Sequence, residues 1–287
     1  MKAVLKHELS NYFHSLVAYV FGAFLLVFVG IGAMLYNIQE SVANFEYVLS
    51  FVSLVFIVIV PILTMRVIAE ERKQKTDQLL YSLPITTTQI VMGKFLALLM
   101  VYLVPMCVVS LYPLLFSQFG EVYLLTSYGS IFAFFVLGAA LLAIGTFISS
   151  LTENQGFAAG IGVAVILFNF YSVSLAEYVS STAMGSALVL CVIGIPISVL
   201  IQHMTRNENL GYVIGFVILL TTCVTYYFDS TKFEGLIPKI MTKLSLFERF
   251  YTFVNGVFDL SAMTYYLTVI GFFLFLTVQS LEKRRYN

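Results

Sequence analysis

The chain has 287 residues, 60% of them hydrophobic and only 10% charged, with a mean hydropathy of +0.95 and a formal net charge of zero. A soluble domain carries roughly 25% charged residues, so this composition excludes a soluble globular protein and points to a polytopic membrane protein. Cys107, Cys191 and Cys223 stand far apart in apolar runs; they form neither a disulfide framework nor a CxxC pair and read as small apolar residues. Trp is absent, which leaves the interfacial aromatic belt to Tyr and Phe, and Tyr36, Tyr47, Tyr112, Tyr123, Tyr171 and Tyr212 do lie near the ends of apolar runs.

In chain order, Met1 to Ser15 has Leu5, Leu9, Tyr12, Phe13 and Leu16 at helical spacing, with Lys2 and Lys6 beside them. This predicts a helix lying in the membrane interface. The run Leu16–Tyr36 is about 31 Å long as a helix, enough to span, and no small-residue cleavage site marks it as a signal peptide. Further spans are expected at Val48–Ile68, Phe95–Phe116, Tyr128–Ser149, Phe157–Leu175, Ala183–Ile201, Gly211–Phe228 and Met263–Gln279. The expected architecture is an all-α polytopic membrane bundle of about eight spans in a single transmembrane domain. Ala183–Ile201 is the weakest span, since Gly194 and Pro196 invite a kink or a re-entrant turn.

Placing both termini on the cytoplasmic side puts Lys2, Lys6, Arg66, Arg72, Lys73, Lys75, Lys94, Arg206, Lys283, Arg284 and Arg285 inside, and Lys232, Lys239, Lys243 and Arg249 outside. Eleven against four agrees with the positive-inside rule. Gly156/Gly160 and Gly211/Gly215 have GxxxG spacing, and with Gly138 and Gly145 they are expected to let helices pack closely.

The densest charge lies between Arg66 and Lys94, where Arg66, Glu70, Glu71, Arg72, Lys73, Lys75 and Asp77 fall within a dozen residues. A bilayer does not hold that density, so the stretch belongs in water or against a partner. Glu71 with Lys75, and Lys73 with Asp77, are spaced i, i+4 and predict a short helix. Pro84 ends it, and Thr86 with Gln89 predicts a capping box for a new helix that passes through Lys94. The prediction is a rigid elbow on one membrane face, over residues 69–92, on which another protein pushes. The blander alternative is a solvated loop whose charges only set topology.

Residues 229–262 form the longest stretch on the opposite side. Leu236, Ile237, Ile240, Met241 and Leu244 follow one helical stripe, and Phe247, Phe250, Val254, Val257 and Phe258 a second. Both are too short to span and predict amphipathic helices at the outer interface, broken at Ser245 and at Asn255-Gly256. Phe247, Phe250, Val254 and Phe258 are the candidate residues of an external gate.

Much chemistry is missing. No GxxxxGK[ST] loop is present, so the chain is not itself a P-loop ATPase. His7-Glu8 opens like a zincin motif, but the second His does not follow. Glu70-Glu71 resembles the paired glutamates of intramembrane proteases that process prenylated proteins, yet Lys75 stands where Arg belongs and no span holds a His that would complete a metal site. The spans carry almost no ionisable groups, which disfavours an ion-coupled carrier. No cofactor, metal or nucleic-acid partner is expected.

Three stretches together resemble the ABC-2 type permeases, in the branch that includes gliding-motility and copper-enzyme-maturation permeases. The first is Glu70-Glu71-Arg72 with Leu79-Leu80, Leu83-Pro84-Ile85 and Gly93-Lys94-Phe95. The second is Leu137–Gly145 with residues 150–155, Ser-Leu-Thr-Glu-Asn-Gln. The third is residues 247–250 with Gly256-Val257, Asp259-Leu260 and the tail 281–285. The sequence departs from the family pattern in having Lys75 where Gly is usual and Gln78 where Glu is usual. It also adds residues 183–228, which look like a span pair inserted into a six-span core.

The resemblance implies a permease subunit of an ATP-driven exporter in a bacterial inner or plasma membrane, not an enzyme in its own right. It implies a second permease subunit, surrounding lipid, and a cytoplasmic ATP-binding subunit as partners. Carried onto this sequence, the ATPase contact is Glu70, Glu71, Arg72, Lys73, Thr76, Asp77, Gln78, Leu79, Leu80 and Leu83. A membrane anchoring or assembly protein and an intramembrane enzyme are the alternatives.

Overall fold

The computed structural model describes residues 1–76, 85–179, 181–205 and 208–285, and no β-strand occurs among them. The helices in chain order are α1 (Lys2–His14), α2 (Leu16–Gly32, prolonged by a π-helical stretch Ala33–Gln39), α3 (Glu46–Ser53), α4 (Phe56–Thr64) and α5 (Ala69–Lys73). They continue with α6 (Thr87–Val109), α7 (Tyr112–Phe116), α8 (Leu124–Leu151), α9 (Gln155–Tyr178), α10 (Ala183–Thr205) and α11 (Glu208–Phe228). A 3₁₀ turn (Ser230–Phe233), α12 (Leu236–Leu244), α13 (Leu246–Val254) and α14 (Leu260–Arg285) complete the chain.

Among the described residues, six stretches are long and apolar enough to cross a membrane: Leu16–Gln39, Thr87–Phe116, Leu124–Leu151, Gln155–Tyr178, Asn209–Phe228 and Leu260–Arg284. The span expected over Val48–Ile68 is not one continuous helix. It is a broken pair, α3 and α4, bent by 60°, and counting it as one span gives seven. At the bend, Val55, Ile57 and Val58 bond to the third residue back instead of the fourth, a tighter winding than the α-helix. Pro61 inside α4 adds to the break, having no N–H to give and a ring that crowds the carbonyl of Ile57. The weak span expected at Ala183–Ile201 lies in α10, where Pro196 sits inside the helix and the apolar stretch is a shorter one, Ala183–Pro196.

The chain divides into two compact units, one of Met1–Phe170 with Leu246–Asn287 and the other of Tyr171–Ser245. The first is built around α8, buried at nearly every position from Ser127 to Ser150. A helix apolar on all sides is one that other helices surround. Its small residues let neighbours come close: the Tyr102 ring lies over Gly138, and Thr64 lies directly against Gly145. Tyr102 also donates its hydroxyl to the Phe134 carbonyl at 2.9 Å, and its ring stacks on Phe135 with centroids 5.2 Å apart.

In the second unit, α10 and α11 pack side by side through glycines. A Cβ built at Gly211 would stand 2.7 Å from Gln202 Cβ, and one at Gly215 would stand 2.8 Å from Ser198 Oγ. The Gly211/Gly215 pair therefore packs as expected. The Gly156/Gly160 pair does not: nothing lies within 4 Å of a Cβ at Gly160, and at Gly156 the nearest group is the adjacent Asn154 side chain at 3.4 Å.

The segment 229–262 breaks at Ser245 and turns at Gly256, whose φ of +80° suits glycine. Of its two amphipathic helices, α12 belongs to the second unit and α13 to the first. Phe247 and Phe250 do not rest at an interface; both are fully buried. Phe250 packs on Phe134 of α8 (5.6 Å) and Phe247 on Phe170 of α9 (4.9 Å). The stripe that reads as interfacial is core, because α8 offers it an apolar face within its own unit. Val254 is half-buried and Phe258 exposed.

Candidate functional site

The elbow begins where α4 ends, and α8 fixes it. The Ser149 hydroxyl accepts from the Ile68 and Ala69 N–H groups, both at 3.1 Å, and donates to the Met65 carbonyl at 3.2 Å. One side chain thus satisfies two of the donors that a helix start leaves open. Three residues into α5, the Arg72 guanidinium turns inward and donates to the Ser150 carbonyl, with Arg72 only 3% exposed. The same carbonyl accepts from Ser280 Oγ of α14 at 3.2 Å, and Arg284 pairs with Glu153 at 3.0 Å. The end of α8 therefore ties the elbow and the last helix to one point.

α5 is only five residues long because a Schellman turn closes it. Thr76 N–H bonds to Glu71 O at 3.0 Å and Lys75 N–H to Arg72 O at 3.1 Å, the reciprocal pair of that motif. The motif needs a left-handed residue, and Lys75 supplies it with φ +57°. This is the position where the family resemblance has Gly. The Glu71–Lys75 helix pair expected from spacing is corrected: Lys75 has left the helix, and Glu71 points elsewhere.

Glu71 reaches Lys94, the centre of the site. The Lys94 ammonium, 2% exposed, donates to Glu71 Oε1 at 2.6 Å, to Glu8 Oε1 at 2.7 Å and to the Val67 carbonyl at 3.1 Å. All three of its protons are used. Glu8 is on α1, Val67 and Glu71 belong to the elbow, and Lys94 is in the second turn of α6. Gly93 beside it makes the approach possible, since a Cβ there would meet Val4 of α1 at 2.9 Å. The face that α1 turns to the protein is Val4, Leu5, Glu8, Leu9 and Tyr12, while Phe13 and Leu16 are exposed. The apolar stripe expected on this helix therefore includes a carboxylate and omits its last two members.

A polar cavity of about 670 Å³ lies between α1 and residues 66–76, with Tyr12, Arg66 and Glu70 among its walls. Arg66 holds Glu70 with Nε at 2.8 Å and Nη2 at 2.7 Å, and this hydrogen bonding raises the Arg66 pKa above its ordinary value. Burial, followed by the nearby Glu8 charge, pushes the Tyr12 phenol well above its usual range, so it stays a neutral hydroxyl.

Of the expected partner-contact residues, Glu70, Glu71 and Arg72 all engage the chain itself, while Lys73 and Thr76 are exposed. Asp77, Gln78, Leu79, Leu80, Leu83 and the expected helix stop at Pro84 lie outside the described residues. The Thr86 hydroxyl accepts from Gln89 N–H at 3.3 Å, the Thr86 half of the capping box expected for α6. Among the described residues, no group of His, Cys, Asp and Glu is arranged to hold a metal ion.

Sequence reasoning misses Glu8 and Lys94 as partners, because 86 residues separate them. It also misses Ser149, which has no local signal at all. A third omission is Glu46. It opens α3 and is 1% exposed, with the Ser127 hydroxyl of α8 on its Oε1 at 2.9 Å.

A protein-family model described as ABC-2 family transporter protein matches residues 13–184, well over half of the chain. No curated protein and no solved structure gives a significant match.

Proposed function

The chain belongs to the ABC-2 transporter family, and from that we propose that it is the permease subunit of an ATP-driven exporter whose ATP is hydrolysed by a separate chain. The family is a membrane transport component rather than an enzyme, and a cytoplasmic ATP-binding subunit generally works with it. The observation that carries the reading is the elbow. It is short, fastened to the most buried helix, and turns Lys73, Gln74, Lys75 and Thr76 outward.

In this reading Lys73, Thr76 and residues 77–83 meet the ATPase, while Glu70, Glu71 and Arg72 hold the elbow rigid so that a push is passed on to α6 and α8. Closure of two ATPases would move two elbows, and paired permeases would switch by rigid-body rearrangement of packed helices. Both termini and the elbow are then cytoplasmic, in agreement with the charge asymmetry along the chain. The proposed topology has eight crossings, six of them a common core, and places the protein in a bacterial plasma membrane near the gliding-motility and copper-enzyme-maturation branch. The division of the chain at Tyr171–Ser245 supports residues 183–228 as the inserted pair. Val254 and Phe258 remain at the external rim.

The test is co-purification with a P-loop ATPase, sought first among the products of adjacent genes. Lys73→Glu combined with Thr76→Asp should weaken the association and the ATPase stimulation, leaving the permease folded. An association untouched by that pair would overturn the elbow as the contact and favour an anchoring or assembly role.

A further inference from the structure

The cavity between α1 and the elbow contains groups that the transport reading does not use. Glu8 and Tyr12 line it, each only 8% exposed, one helical turn apart on α1 and so on one face. Glu8 commits Oε1 to Lys94. Its Oε2, and the Tyr12 hydroxyl, have no hydrogen-bond partner among the described residues. Both atoms face the open cavity and keep contact with solvent there, so a ligand that enters replaces water on them.

The charge of the lining says what enters. Glu8, Glu70 and Glu71 face Arg66 and Lys94, three carboxylates against two strong bases, so a lone anion is disfavoured and a cation favoured. A half-used carboxylate beside a phenol oxygen accepts N–H donors. The walls also include Ser15 and Val17, where the first crossing begins, and Arg66 and Val67, just beyond the bent pair. In the proposed topology these residues stand at the end of a crossing, the level of the headgroups, and the volume is in the range of pockets that hold small molecules.

We propose that this cavity binds the primary ammonium of a phospholipid headgroup, of the phosphoethanolamine type, between Glu8 Oε2 and the Tyr12 hydroxyl. Arg66 engages Glu70 with Nε and Nη2, which leaves Nη1 for the headgroup phosphate. A lipid held here wedges α1 against the elbow, in the place where movement of one would be felt by the other.

The purified full chain, without any ATP-binding partner, is incubated with phosphatidylethanolamine, its mono- and dimethylated forms, phosphatidylcholine and phosphatidylglycerol, and retained lipid is counted by native mass spectrometry. Retention should fall as methyl groups replace N–H donors and be lowest for phosphatidylcholine and phosphatidylglycerol. Tyr12→Phe, which keeps the ring buried, should lower phosphatidylethanolamine retention on the order of tenfold, the scale of one hydrogen bond to a charged group. Arg66→Gln tests the phosphate contact without touching the Lys94 cluster and should lower retention of the amine lipid as well. Equal retention across the series, or a Tyr12→Phe chain that binds like the parent, overturns the proposal. Occupancy seen only when an ATP-binding chain is added, with no headgroup selectivity, assigns the cavity to a protein side chain and also overturns it. None of these outcomes bears on whether the elbow contacts an ATPase.

Discussion

The Lys94 ammonium lies 2.6 Å from a Glu71 carboxylate oxygen, in a position where only 2% of the lysine reaches solvent. A charge density that reads as a water-facing loop is thus partly an internal fastening. Lys94 is on α6, Glu71 on α5, and Glu8 on α1. A displacement of α5 relative to α1 or α6 would strain this buried ion cluster.

Removing the lysine should expose how much that cluster is worth. Lys94→Met leaves two carboxylates facing each other without their cation. Breaking a buried pair costs about 3–5 kcal/mol. Glu71 is 27% exposed on its side chain, so water reaches part of the cluster and the low end, about 3 kcal/mol, is expected. The double variant Lys94→Met, Glu8→Gln should be less destabilised than the sum of its two single changes, read by thermal unfolding in detergent. Strict additivity would mean that the two groups do not interact.

The left-handed Lys75 gives a prediction of opposite sign. A side chain in that conformation costs roughly 1 kcal/mol or more relative to glycine, offset in part by the greater freedom glycine has when unfolded. Lys75→Gly should stabilise the protein by about 0.5 kcal/mol, and Lys75→Val, β-branched at φ +57°, should destabilise it. If both variants melt alike, the Schellman closure of α5 is not formed.

These two cases mark what is legible in the sequence. Apolar runs are local and continuous, so the crossing stretches at Leu16–Gln39, Leu124–Leu151 and Leu260–Arg284 follow from the residues themselves. The Thr86 cap is equally local. The bend between α3 and α4 is half-legible, since Pro61 is a signal for it but the tightened turn at Leu54 is not. The Lys94–Glu8 pair is illegible because nothing near either residue distinguishes a buried ion from a solvated one. Phe247 and Phe250 fail for the complementary reason: an amphipathic stripe looks the same whether lipid or a neighbouring helix covers it. Asp77, Gln78, Leu79, Leu80 and Leu83 keep only their sequence-level assignment, while Glu70, Glu71 and Arg72 gain a structural one.

Ser149 should control the mobility of the elbow without setting its position in sequence. Ser149→Ala removes the acceptor shared by the Ile68 and Ala69 amides, at a cost of about 1–3 kcal/mol for donors left buried. Hydrogen exchange should accelerate at residues 66–73 and remain slow along the middle of α8. An elbow whose exchange is unchanged would show that Arg72 and the Lys94 cluster hold it without Ser149.

Glu46 provides the sharpest contrast between two substitutions at one contact. Its Oε1 accepts from Ser127 while Oε2 has no partner among the described residues. The carboxylate opens α3, and Ser127 lies in the first turn of α8, so the positive ends of two helices face it, which favours negative charge. Ser127→Ala takes away its hydrogen-bond partner and should destabilise by about 1–3 kcal/mol. Glu46→Gln keeps the shape, lets the amide oxygen accept from Ser127, and removes a charge that burial disfavours, so its effect should stay within about 1 kcal/mol. Thermal melts of the two variants in the same lipid decide the point. A Glu46→Gln loss as large as that of Ser127→Ala would mean that the negative charge itself, held by the helix ends, stabilises this end of the bundle.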